Sequence, residues 1–220
     1  MRRRWGQDMW KRAGAELLGT ALMVAVGCGS IAYGASAAVI CLSFGIGVTI
    51  AILLFGPISG AHINPAVSIA FYRHGNLEKN AVLPYVCAQI IGALIAAVAI
   101  SGAGPTTIST GYSYTSAFII EVFITFVLMA NILWIISKSE NRLIVSSWIG
   151  GCVAILAFIF GPATGASMNP ARTIGPNIIS ELYSSIPFYI LSTIVGAWLA
   201  AELFLRIDSQ ENITDDIKNR

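Results

Sequence analysis

The sequence predicts an all-α membrane protein with six transmembrane helices, two reentrant half-helices and an inverted 3+3 repeat. Three observations carry this. Of the 220 residues 56% are hydrophobic and only 11% charged, against about 25% charged in a soluble domain. Long apolar runs recur along the whole chain. One phrase, GPISGAHINPAV from Gly56 to Val67, returns as GPATGASMNPAR from Gly161 to Arg172.

Six apolar runs are long enough to cross about 30 Å of hydrocarbon at about 1.5 Å per residue. They are Ala13–Tyr33, Ala38–Leu54, Ala81–Ile100, Ala117–Ile136, Leu143–Phe160 and Ile186–Leu205. The first follows Arg2, Arg3, Arg4, Lys11 and Arg12 and reads as a span that also serves for targeting. Two shorter runs start at Asn64 and Asn169. Each offers about ten residues, or about 15 Å of helix, which is half a membrane.

Basic residues set the expected orientation. With the N-terminus in the cytoplasm, Arg73, Lys79, Lys138, Arg142, Arg206, Lys218 and Arg220 fall on the cytoplasmic side, as does the C-terminus. Among the 13 Lys and Arg residues only Arg172 falls on the other side. That exception asks for a functional explanation. The sequon Asn212-Ile-Thr214 lies in the expected cytoplasmic tail and is dismissed. Cys28, Cys41, Cys87 and Cys152 lack metal-ligand spacing and read as small packing residues.

The duplication extends beyond the repeated phrase. Glu16 and Thr20 match Glu121 and Thr125, and Tyr85 with Gly92-Ala93 matches Tyr189 with Gly196-Ala197. The chain is one channel domain, 1–220, with repeats of about 1–109 and 110–220. Three spans per repeat force the second to enter the membrane from the opposite face. Such inverted repeats place a solute path at their interface.

Asn is a favoured N-cap and Pro a favoured first helical residue. Asn64-Pro65-Ala66 and Asn169-Pro170-Ala171 therefore start two short helices. The small residues Ser59-Gly60-Ala61 and Thr164-Gly165-Ala166 precede them. Irregular backbone at membrane depth needs burial in protein or a water-filled path. Two helix N-termini facing each other, each worth about half a positive charge, would pass neutral polar solutes and repel cations.

These paired boxes resemble the aquaporin or major intrinsic protein family across nearly the whole chain. The resemblance implies a homotetramer with one pore per protomer. It also implies an outer constriction at Phe44, Ala157, Ala166 and Arg172, counted from the boxes. An Arg there donates to solutes and excludes cations, which accounts for the misplaced charge. Membrane-embedded acids are costly and by default functional. Glu16 and Glu121 could be a proton relay or structural acceptors, and their symmetric placement favours acceptors that hold the reentrant loops. His62 is expected at the cytoplasmic vestibule, and His74 reads as a polar helix terminus.

The signals on solute conflict. Ala157 stands where water-selective members resemble one another in having His, which implies a wide filter suited to glycerol-sized molecules. Thr173 stands where the glycerol branch typically has Asp, and Phe188-Tyr189 resembles the water branch. The phrase GPATGASMNPARTIGP is similar to the nodulin-like branch, which passes small polyols, neutral metalloid acids and water. The expected function is a passive channel for water and small uncharged solutes. A strictly water-selective channel and a secondary transporter stand as alternatives. An ion channel would need a carbonyl or charged ring, and an enzyme a nucleophile or metal set that His62 and His74 do not supply. No cofactor, no metal and no nucleic-acid partner is expected. The partners are water, small neutral solutes and the lipid bilayer of a plasma or inner membrane.

Overall fold

Eight α-helices build the chain in the computed structural model, which describes residues 9–218, with side chains for 9–210. Arg2, Arg3, Arg4 and Arg220 lie outside the described residues, as do the side chains of Asn212, Thr214 and Lys218. The helices are α1 (Met9–Ala32), α2 (Ala37–Ser59), α3 (Pro65–His74), α4 (Lys79–Ala99), α5 (Tyr114–Lys138), α6 (Arg142–Thr164), α7 (Pro170–Ile179) and α8 (Ile186–Lys218). Six of them are long and apolar enough to cross a membrane. The other two, α3 and α7, have ten residues each.

Helices α2, α5, α6 and α8 outrun their expected ends, α2 and α6 by passing a Gly-Pro pair. Gly56-Pro57 and Gly161-Pro162 look like stop signals, because Pro cannot donate to the helix ladder. Both helices nevertheless continue, to Ser59 and Thr164. A membrane helix tolerates Pro where neighbours satisfy the freed groups. The true stops are Gly60 and Gly165, which take left-handed backbone at φ 94° and 74° and donate back to the carbonyls of Gly56 and Gly161. That conformation suits Gly at a helix C-terminus.

Within each half the outer spans pack on each other, α1 on α4 and α5 on α8. The halves meet where α2 crosses α6. There a Cβ on Gly45 would strike the Gly150 carbonyl, and one on Gly150 the Gly45 carbonyl. Small residues at such crossings let membrane helices approach closely enough for van der Waals packing. The short helices cross over: α3 lies against α8, and α7 against α4. Each half therefore supplies a wall for the other half's short helix. Leu18, Leu54, Leu83, Ile95, Phe158 and Leu191 are exposed, as side chains facing lipid tails would be.

Candidate functional site

Both box asparagines cap the short helices as their sequence dictates. Asn64 Oδ1 accepts from Ala66 N at 2.9 Å, and Asn169 Oδ1 accepts from Ala171 N at 3.0 Å. Their amide nitrogens reach across the molecule. Asn64 Nδ2 donates to Met168 O and Asn169 Nδ2 donates to Ile63 O, both at 2.8 Å. Each amide nitrogen carries two hydrogens, so this use leaves one more on each.

The loops before the boxes are irregular in the same way. Ala61 and Ile63 have φ of 47°, and Ala166 and Met168 have 42° and 51°. Left-handed backbone at residues other than Gly costs about 1–3 kcal/mol each and persists only where the surroundings enforce it. Here the surroundings are carboxylates. Glu16 Oε1 accepts from Ser59 Oγ at 2.6 Å and His62 N at 2.9 Å. Its Oε2 accepts from Ile63 N at 2.6 Å and Gln89 Nε2 at 2.8 Å. Glu121 Oε1 accepts from Thr164 Oγ1 at 2.6 Å and Ser167 N at 2.9 Å, and Oε2 from Met168 N at 3.1 Å. Both acids are fully buried. Tyr85 and Tyr189 complete the pattern, donating to the last helical carbonyls, Ser59 O and Thr164 O, at 2.7 Å.

A cavity of about 430 Å³ lies beside these loops. Its lining reaches from Ile31, Ala37 and Pro105 at one end to Phe71, Ile136 and Val145 at the other. Asn64, Asn169, His62, Phe44, Ala157, Ala166 and Arg172 all line it. So do the backbone segments 60–63 and 165–168, while aliphatic side chains such as Val48, Leu128, Ile149 and Val153 fill most of the rest. Hydrogen-bonding groups thus come from the loops and apolar wall from the spans. The guanidinium of Arg172 sits 4.8 Å from the centre of the Phe44 ring. Its Nη1 donates to Gly104 O at 2.6 Å. A guanidinium has five donors, and the carbonyl takes one of them.

The family model for major intrinsic proteins matches residues 4–204. The chain belongs to the major intrinsic protein family. Aquaporin NIP1-1 of Zea mays is 35% identical over 83% of this chain and 70% of the relative. Aquaporin AqpM of Methanothermobacter marburgensis is 32% identical over 92% of this chain and 99% of the relative. The fold is shared with the X-ray structure of the aquaglyceroporin from Plasmodium falciparum, at a TM-score of 0.81 and 24% identity over 90% of this chain and 95% of that one. Members of the family are channels of membranes, not enzymes.

This major intrinsic protein also carries contacts that no motif announces. Arg12 is buried. It pairs with Glu78 and donates from Nε to Tyr85 Oη at 2.8 Å. The hydrogen bond from Arg12 holds the Glu78 carboxyl below its usual range, against the opposing effect of partial burial. Arg73, at the end of α3, forms two bonds to Glu202 of α8, at 2.5 and 2.9 Å. His74, expected as a polar terminus, places Nε2 3.3 Å from Asp208 Oδ2. The separation of these partners in the chain hides the pairs from any local pattern.

His62 stacks on Phe71 with ring centres 4.5 Å apart, and its Nδ1 lies 3.1 Å from Ser68 Oγ. Ser167 holds the equivalent place in the second half, with its Oγ 2.6 Å from Thr173 Oγ1. Thr173, which entered the sequence argument only as a branch marker, is therefore part of the wall that supports the loop. Phe188 touches Tyr114, Phe118 and Tyr189 edge-on, away from the boxes.

Proposed function

We propose that this chain is a passive channel for water and small uncharged solutes, including glycerol-like polyols and neutral metalloid acids. The observation that carries the proposal is the composition of one stretch of the cavity wall. Phe44, Ala157, Ala166 and Arg172 all line the cavity, which supports a filter of two methyls, one ring and one guanidinium. Selectivity in such pores follows from width and from the lining donors and acceptors. Methyls leave width, the ring gives an apolar face for a carbon backbone, and the guanidinium gives donors to hydroxyls.

In this reading Arg172 and the two helix N-termini at Asn64 and Asn169 repel cations. Glu16 and Glu121 hold the reentrant loops, and His62 faces the cytoplasmic vestibule. The repeats of about 1–109 and 110–220 form one domain, both termini face the cytoplasm, and four copies assemble in a plasma or inner membrane. The basic residues support the orientation, and the resemblance supports the tetramer.

Stopped-flow light scattering on proteoliposomes tests the solute range. Shrinkage under sucrose reads water flux. Reswelling under glycerol reads solute entry. Fast shrinkage with no reswelling under glycerol, urea or neutral metalloid acids would assign the chain to strict water selectivity. That outcome would favour the alternative that Thr173 suggests. Saturable, gradient-coupled uptake would point to a transporter.

A further inference from the structure

In the segment that joins the halves, residues 101–113, three alternate residues, 102, 104 and 106, bond to α7 or its C-cap. Gly102 O accepts from Ser180 Oγ at 2.8 Å. Gly104 O accepts from Arg172 Nη1 at 2.6 Å. Thr106 is gripped by Asn177 through its backbone: Asn177 Oδ1 accepts from Thr106 N, and Asn177 Nδ2 donates to Thr106 O, both at 2.9 Å. The second amide hydrogen of Asn177 goes to Ser185 Oγ at 2.8 Å. An Asn amide has one carbonyl and two N–H donors, so all three groups of this fully buried side chain are engaged. The side chain completes the backbone pairing that a neighbouring strand would provide.

Two residues from that grip stands Gly104, with left-handed backbone at φ 75°. Its carbonyl is the hydrogen-bond acceptor of the Arg172 guanidinium among the described residues. We infer that Asn177 is a positioning residue for Arg172: by clamping the Thr106 backbone it fixes the Gly104 carbonyl, and that carbonyl fixes the guanidinium against Phe44 and the cavity. The functional half of this rests on the proposed role of Arg172 as the charge barrier.

A second link to α7 runs through side chains only. Thr106 Oγ1 lies 2.7 Å from Thr173 Oγ1, which leads on to Ser167. It ties the segment to the box loop but does not hold the backbone beside Gly104, whose carbonyl takes one further, weak bond from Cys28 Sγ at 3.9 Å. The backbone grip is the link that matters for Arg172. Asn177→Ala removes it and leaves a buried N–H and C=O unpaired. Thr106→Val removes the hydroxyl, with its bond to Thr173 and its long 3.4 Å bond to Asn177 Oδ1, and keeps both backbone groups that Asn177 holds. A residue that merely filled space would change stability in either variant without touching charge selectivity.

The experiment compares wild type, Arg172→Val, Asn177→Ala, Asn177→Asp and Thr106→Val in proteoliposomes. Proton leak, read by an enclosed pH dye, is divided by water flux for each. The guanidinium ¹⁵N resonances of Arg172, assigned by their loss in Arg172→Val, read its hydrogen bond directly by solid-state NMR. Asn177→Ala should raise the leak-to-water ratio about tenfold, equivalent to about 1.4 kcal/mol off the barrier, and should shift the Arg172 resonances. Thr106→Val should leave both near wild type. Asn177→Asp, nearly isosteric and lacking the donor to Thr106 O, should behave as Asn177→Ala and serves if the alanine variant does not fold. Unshifted Arg172 resonances in a folded Asn177 variant overturn the inference. So does an equal effect of Thr106→Val, or failure of both Asn177 variants to fold, which would make Asn177 a structural residue. Arg172→Val without a leak would instead overturn the charge-barrier reading, and the resonances would still decide the positioning.

Discussion

Asn64 and Asn169 hold each other's loops. Each amide nitrogen donates across the midline to the carbonyl of the residue just before its partner: Asn64 to Met168 O and Asn169 to Ile63 O, at 2.8 Å. The same side chains cap their own helices through Oδ1. The two jobs use different atoms and can be separated.

Asn64→Asp keeps the capping oxygen and loses the cross-loop donor. Asn64→Ala loses both. The cap alone is worth about 1 kcal/mol, and a buried carbonyl left without its donor costs about 1–3 kcal/mol. Thermal unfolding should rank wild type above Asn64→Asp and Asn64→Asp above Asn64→Ala. Water flux per folded channel should fall in both variants, and the series at Asn169 should match. Normal melting and normal flux in both alanine variants would remove the central role given to the boxes.

Ala157→His should turn a methyl into a ring with a polar edge, in the cavity that Phe44 and Arg172 also line. Wild type should pass glycerol measurably. The variant should lower the ratio of glycerol to water flux by about tenfold, the factor for about 1.4 kcal/mol. Because the scaffold is shared, differences in reconstitution largely cancel. Equal ratios in the two proteins would refute the wide-filter reading.

The two buried acids should differ in how they tolerate an amide. Each oxygen of Glu16 accepts two hydrogen bonds, so Glu16→Gln must either oppose His62 N and reverse the Ser59 hydroxyl, which can also accept, or oppose both Ile63 N and Gln89 Nε2. Glu121 Oε2 accepts only from Met168 N, so Glu121→Gln can confine the conflict to one. At about 1–3 kcal/mol for each buried group left unpaired, Glu16→Gln should lower the melting temperature more. A calorimetric scan of the two variants in one detergent decides the order. Equal losses would show that the loops do not depend on the carboxylates in proportion to these bonds.

Glu78 should contribute an acid-sensitive part of the stability. Its folded pKa lies below the ordinary value because of Arg12. A group of this kind stabilises the fold above its unfolded pKa, and the contribution disappears as pH falls through the lower, folded value. Glu78 is 41% exposed, so the effect is a discounted, surface-like one. Melting curves taken from about pH 6 down to about pH 3, across the unfolded carboxylate range, should show a steeper loss in wild type than in Glu78→Gln. Parallel curves would show that the Arg12 pair adds nothing to stability.

The architecture was legible because lipid allows few solutions. Apolar length marked the spans, and Asn-Pro marked both short helix starts to the residue. The box positions also located the residues that converge on the cavity. Span ends were less legible: Gly56-Pro57 and Gly161-Pro162 look like stops, and only the membrane setting lets α2 and α6 pass through them. The partners of Arg12, Arg73, Arg172 and Asn177 left no local trace. Each is brought near by packing between helices far apart in the chain, and no periodicity encodes which carbonyl a guanidinium will find. Tyr85 and Tyr189 fall between these cases. Their matched spacing marked them as a pair, and the structure supplied the reason, a helix-ending carbonyl in each half.

The crossover of the short helices has a consequence for how the chain is made. Synthesis delivers the N-terminal end first. Helix α3 ends at His74, yet the wall it lies against does not begin until Ile186. For about half of translation the first short helix therefore has α4 beside it but lacks α8. What it does have is already in place or soon to follow: Glu16 in α1 and Gln89 in α4 both belong to its own half, and both reach Ser68 or its loop. Helix α7 meets no such delay, because α4 is inserted before it emerges. The partners of the first carboxylate thus all lie in the half made first, and its bond from Gln89, which has no counterpart among the hydrogen bonds of Glu121 described above, falls on the half that has to wait.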